Sequence, residues 1–204
     1  MDVTAQGRIG LTQAERSEET VQRLLGTARE LFAGRGFAET SIEDIVRTAG
    51  VTRGALYHHF GGKVDIFRAV VEDEAARLAQ RVERAALKKR DPWEQIEAGC
   101  REFLDACRDP AVWQIGLLDA PSVLGWRELR EIDARHSLAL LLRALERAMA
   151  EGKLRKRPPT PLAHLLFGAL CEAGILVAGA TDRHQAMREI GREIQALLRA
   201  LAER

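Results

Sequence analysis

Apolar residues recur along this chain at intervals of three and four, and no stretch of five or more alternates cleanly between apolar and polar. That period is helical, so the pattern predicts an all-α fold. A first helix is expected over about residues 17–35, with Val21, Leu24, Leu25, Ala28, Leu31 and Phe32 on one stripe and Gly36 as its left-handed stop. Ser41-x-x-Asp44 has the form of a capping box and opens a second helix that buries Ile42, Ile45, Val46 and Ala49. Gly50 supplies a turn, and Thr52 caps a third helix reaching about His59.

A long fourth helix fits residues 63–87, ahead of Lys88-Lys89-Arg90. Asp91-Pro92-Trp93-Glu94 is a strong helix start, with a capping Asp, Pro at the first helical position and Glu at the third. Asp109-Pro110 and Thr160-Pro161 repeat the signal, and Ala120-Pro121 is expected to kink or end the helix begun at Pro110. Residues 126–151 read as one more long helix, stopped by Gly152 and followed by a basic, proline-ended loop at 153–159.

Composition narrows the class. With 204 residues, 46% of them hydrophobic and 30% charged, the chain is globular and long enough for a substantial core. No apolar run is read as approaching the roughly 20 residues that span a bilayer. The first residues hold charges in place of an apolar leader, and three cysteines do not make a disulfide framework. A cytoplasmic location without a membrane partner is expected. Net charge is only +1, and residues 1–63 hold eight basic against eight acidic side chains. Any affinity for nucleic acid must then come from where the charges sit.

That placement is found in residues 45–64, which contain no acid but include Arg47, Arg53, Tyr57, His58, His59 and Lys63. Three short helices around a tight turn, with such a surface, read as a helix-turn-helix whose last helix enters the major groove of duplex DNA. Arg53 on its first turn can fork onto guanine, and Tyr57, one turn on along the same face, can reach a phosphate. Gly54 and Ala55 are small enough for close backbone approach, and Thr52 caps the helix. Thr40 and Ser41 stand at a helix N-terminus that favours phosphate, and Lys63 offers a point charge. Singly, each feature also fits an ordinary α-protein, with Tyr57 simply half-buried.

The string A-x-x-L-F-x-x-x-G-F-x-x-T-S-I-x-x-I-x-x-x-A-G-V-x-x-G-x-L-Y-x-x-F-x-x-K, from Ala28 to Lys63, resembles the signature of the TetR (tetracycline-repressor-like) family. The resemblance covers about 45 residues, extends to Phe67, and is long and specific. It implies a homodimeric, usually repressing transcription factor on a palindromic operator. Its parts would be a flexible arm over 1–16, a DNA-binding domain over 17–62, and an effector-binding and dimerisation domain over 63–204. Thr40, Arg53, Tyr57, His58 and Lys63 fall on the family's usual DNA contacts. His58-His59 departs from the single histidine or aromatic common there, leaving open which of the two faces DNA.

The C-terminal half carries weaker signals. Met187, Ile190, Ile194, Leu197 and Leu201 step by three and four as an a/d seam, and the helix before them is rich in small residues, Ala173 among them. With Leu166, these positions either close the monomer's own core or form a four-helix interface with a second copy, the preferred reading. Phe103, Cys107, Trp113, Leu117, Trp126, Phe167 and Cys171 are candidates for an apolar effector cavity or for plain core. His136 and Glu172 would orient a ligand or satisfy each other. An effector from such a lining would be hydrophobic or aromatic. No metal-ligand spacing, cofactor loop or catalytic triad is evident, which argues against an enzyme.

Overall fold

The structure, a computed structural model, describes residues 12–202, and most of the expected arm lies outside them. Among the described residues ten α-helices and one π-helical segment form a small head and a larger body, and there are no strands. The head comprises α1 (Gln13–Arg35), α2 (Ile42–Ala49) and α3 (Arg53–His59). The first helix starts four residues earlier than its apolar stripe indicated, because Thr12 and Glu15 form a reciprocal capping box. Gly36 and Gly50 both take positive φ, 78° and 64°, and turn the chain out of α1 and α2. Leu24, Ala28, Phe32, Ile45 and Leu56 are fully buried between the three helices. Each large one contributes about 1.5–3 kcal/mol on burial.

The long α4 (Lys63–Ala86) belongs to both parts. Its first turns place Ile66 and Phe67 in the head's core, where the Phe67 ring meets Phe32 edge to face at 5.1 Å. Its remainder packs on α5 (Pro92–Ala106), whose start Asp91 caps by accepting from the Trp93 and Glu94 amides. A π-helical segment (Ala111–Asp119) follows and runs directly into the short α6 (Ala120–Val123). Its wider turn is closed where the Ala120 amide donates to the Ile115 carbonyl, so the chain changes helical type ahead of Pro121 without stopping.

Three sequence expectations are corrected in the body. The helix expected over 126–151 is two helices, α7 (Trp126–Arg135) and α8 (Ser137–Ala150), broken at His136, whose φ and ψ are −120° and −107°. The helix expected to start at Thr160-Pro161 is α9 (Pro159–Gly179), which begins two residues sooner without a side-chain cap. At 21 residues α9 is also long and apolar enough to cross a bilayer by length and composition, contrary to the sequence reading. Its inner face, with Leu162, Phe167, Leu170, Ala173 and Val177, is instead buried in the body's core.

The last helix, α10 (Arg183–Ala202), buries Leu198 and lays Met187, Ile190, Ile194 and Leu201 against that same core. Ala173, expected at a dimer interface, thus packs inside its own chain, as does its neighbour Gly174. A Cβ added at Gly174 would sit 2.8 Å from both Cys107 Sγ and Leu117 Cδ1. Gly174→Ala is therefore expected to destabilise the chain by about 1–3 kcal/mol, read as a lowered denaturant midpoint. An unchanged midpoint would mean that α5 and the π segment yield freely.

Candidate DNA interface and body cavity

The acid-free surface is carried by α3 and its flanks. Thr52 holds the helix start by accepting from the Ala55 amide at 3.1 Å, leaving Arg53, Gly54, Tyr57 and His58 exposed on the outside. Arg53 and Tyr57 lie together: the guanidinium stands 5.5 Å from the ring centroid, and Nη2 donates to the phenol oxygen at 3.4 Å. Arg53 also reaches across to α2, where Nη1 pairs with Glu43 at 2.7 Å. That pair is solvent-exposed and adds little to stability, but it holds the guanidinium on the α2–α3 surface. His58 is exposed and stacks edge to face on the more buried His59 at 4.9 Å.

The flanking residues divide. Ser41 caps α2, accepting from the Asp44 amide at 3.1 Å and donating to the Asp44 carboxylate at 2.8 Å. Those Ser41 hydrogen bonds hold the Asp44 carboxyl below its ordinary range. Lys63 donates to the Ala38 carbonyl at 3.3 Å, with its ammonium 4.1 Å from the Phe37 ring centroid. Thr40, expected to clamp a phosphate, is buried and donates its hydroxyl to the Gly36 carbonyl at 2.9 Å. In this conformation its hydroxyl shapes the turn between α1 and α2 and does not face solvent.

A cavity of about 270 Å³ opens in the body between α4, the π segment, α7 and α9. Phe103, Leu117, Trp126, Phe167, Cys171 and Glu172 of the sequence candidates line it. Three others do not. Cys107 is core, donating to the Phe103 carbonyl at 3.3 Å. Trp113 lies under Arg183, 5.0 Å from guanidinium to ring centroid, with its indole N–H buried and unbonded. His136 Nε2 pairs with Glu72 at 2.6 Å, so His136 and Glu172 do not satisfy each other. Burial pushes the thiols of Cys100, Cys107 and Cys171 up to about 12, which makes them unreactive hydrophobes.

Charged groups on the cavity wall were missed by sequence reading. Glu74 is buried and held by Arg29 of α1, Nε to Oε1 at 2.5 Å. Arg130 pairs with Asp133 at 3.0 Å and lies 5.5 Å and 5.7 Å from the ring centroids of Trp126 and Phe167. Burial pushes the Asp133 carboxyl up to about 6 against the opposing pull of Arg130. The native state thus keeps a proton that the unfolded chain releases near 3.8, so stability should fall between that value and about pH 6 and then level off. The fall should be on the order of 3 kcal/mol. Denaturant unfolding at pH steps from about 4 to about 7 checks this, with Asp133→Asn losing the slope. An identical slope in the variant would assign it to other groups.

The π segment is a wall common to both parts. Its Ala111 and Ile115, with Ala120, are buried in the head's core, while Val112, Gly116 and Leu117 line the cavity. Asp119 at its end accepts from the Phe37 amide at 2.7 Å, tying it to the turn beyond α1. Arg29 adds a 3.4 Å contact to Asp109 just before the segment.

Comparison with known proteins places this architecture. Residues 24–70 match the family model described as "Bacterial regulatory proteins, tetR family", and residues 93–201 match "Tetracyclin repressor-like, C-terminal domain". The chain belongs to the TetR family. It is accordingly a DNA-binding transcriptional regulator. A crystal structure of a TetR-family regulator from Pectobacterium atrosepticum is 34% identical over 95% of this chain and 99% of that one, with a TM-score of 0.80. The TetC protein of transposon Tn10 from Escherichia coli is 26% identical over 76% of this chain and 79% of that protein. The regulator SrpR of Pseudomonas putida is 45% identical over 58 residues, 28% of this chain and 27% of SrpR. Among the described residues no group of three or more His, Cys, Asp or Glu is placed to hold a metal ion.

Proposed function

We propose that this TetR-family regulator is a cytoplasmic homodimeric repressor, released from a palindromic operator when a small molecule fills the body cavity. The observation that carries the reading is the π segment, one side of which is core to the DNA-binding head while the other lines the cavity. A ligand pressing on Leu117 or Val112 moves the seat of α1, and with it the spacing of the two reading heads. Coupling of roughly 1–3 kcal/mol is typical of such linkage.

In the head, over residues 12–62, Arg53 reads a base edge, Tyr57 holds a phosphate with Lys63 at the start of α4, and Ser41 with the α2 N-terminus takes another. Thr52, Gly54, Ala55 and exposed His58 border the contact, and Thr40 acts only through its turn. The second copy docks on the outer face of α9 and α10. Support comes from Leu165, Leu176 and Leu197, which are 73%, 55% and 54% exposed on helices whose inner faces are core. A two-fold dimer also matches a palindromic site. Sedimentation giving a stable monomer at micromolar concentration would remove the dimer from this account.

The test is a thermal-shift screen of hydrophobic and aromatic small molecules against the full chain, with each hit scored for operator binding. A compound that raises Tm and releases the operator supports the reading. Hits that stabilise the body and leave operator affinity unchanged contradict it.

A further inference from the structure

Beside the first cavity lies a second, of about 190 Å³, between α4, α5 and α8. The two share Phe103, Ser137 and Phe167 as walls, and the phenyl rings meet edge to face with centroids 5.9 Å apart. Behind that pair the second cavity is lined by Val82, Ile96, Leu140 and Leu170, while its charged residues Glu83, Arg143 and Arg147 are exposed and of both signs. An edge-to-face ring contact is weak beside the burial of several methylenes. A rotamer change at Phe103, which walls both, would join the chambers.

Among the polar groups that line the first chamber, Asp133 has an acceptor to spare. Asp133 is 16% exposed and gives one oxygen to Arg130, while its other oxygen makes no hydrogen bond. That unbonded oxygen belongs to a residue lining the chamber and can accept from an O–H or N–H donor on whatever fills the space. Among the described residues Arg130 is the only cation on that wall and is already paired, so a ligand carboxylate would find no free partner there and would meet Asp133 and Glu172.

We propose that the two cavities are chambers of one site for a neutral amphiphile. An aromatic head bearing an O–H donor sits against Asp133, and an aliphatic tail passes the Phe103–Phe167 pair into the second chamber. The proposal rests on the body cavity being the effector site and specifies what that effector is.

The experiment is calorimetric titration of the full chain with 4-ethylphenol, 4-butylphenol and 4-octylphenol, with 4-octylanisole and octanoate as controls. Affinity should tighten by about fourfold per added methylene until the second chamber is full. The anisole, which lacks the donor, and octanoate, which is charged, should each bind at least about tenfold more weakly than 4-octylphenol. Ala144→Phe, filling the second chamber, and independently Phe103→Trp, blocking the passage, should flatten the series beyond the ethyl compound. A flat series in the parent chain, an undiminished slope in either folded variant, or equal binding of the anisole or octanoate overturns the proposal. Operator affinity is followed in parallel. The expected binding pattern without operator release leaves the two-chamber site standing and rejects the effector reading; release by compounds that show no such pattern does the reverse.

Discussion

Arg29→Ala is expected to destabilise the chain by about 3 kcal/mol, because it leaves the Glu74 carboxylate buried without its main partner. Only Arg77, at 3.8 Å, would remain near it. The pair joins α1 of the head to the middle of α4, and Glu74 also lines the cavity, so the loss should loosen the head from the body as well. A double variant, Arg29→Met with Glu74→Leu, removes both charges and should recover most of the loss, since an apolar pair of similar size carries no uncompensated charge. Denaturant unfolding of Arg29→Met, Glu74→Leu and the double variant measures the coupling. Additive losses would mean that the two side chains stabilise the fold independently.

The head was legible because its signals are local. Ser41, Gly50 and Thr52 act within four residues of where they stand, and each caps or turns the chain as its sequence position indicated. Thr12-x-x-Glu15 is just as local and sets the true start of α1, but the apolar stripe does not begin until Val21. The break between α7 and α8 had no glycine or proline to announce it. His136 is held there by Glu72, 64 residues earlier, a contact that no window along the chain contains. The cavity was half legible for a similar reason. Its aromatic lining follows from helical spacing, whereas Glu74, Arg130 and Asp133 read as solvated charges until folding pairs them. Glu43 belongs with these: it lies two residues before the acid-free window opens and pairs with the very arginine that window was meant to free.

Arg53→Ala should give the largest loss of operator affinity. A bidentate arginine–guanine contact discriminates by about 1–3 kcal/mol in each half-site, so the dimer should bind at least tenfold more weakly and lose preference at that base. Tyr57→Ala removes the proposed phosphate contact and the ring beside the guanidinium, and should weaken binding at every sequence alike. Tyr57→Phe keeps the ring and should lie between the parent and Tyr57→Ala. Neither residue supports the core, since both are exposed, so the variants should unfold at the parent's midpoint.

The most direct measurement is fluorescence anisotropy of the chain on the DNA upstream of its own gene, at one fixed salt concentration, with the parent, Arg53→Ala and Tyr57→Ala compared. The placement of charge on α3 predicts specific binding by the parent and a loss of at least about tenfold in each variant. Parent-like affinity in both variants would contradict it and move the reading face elsewhere on the head.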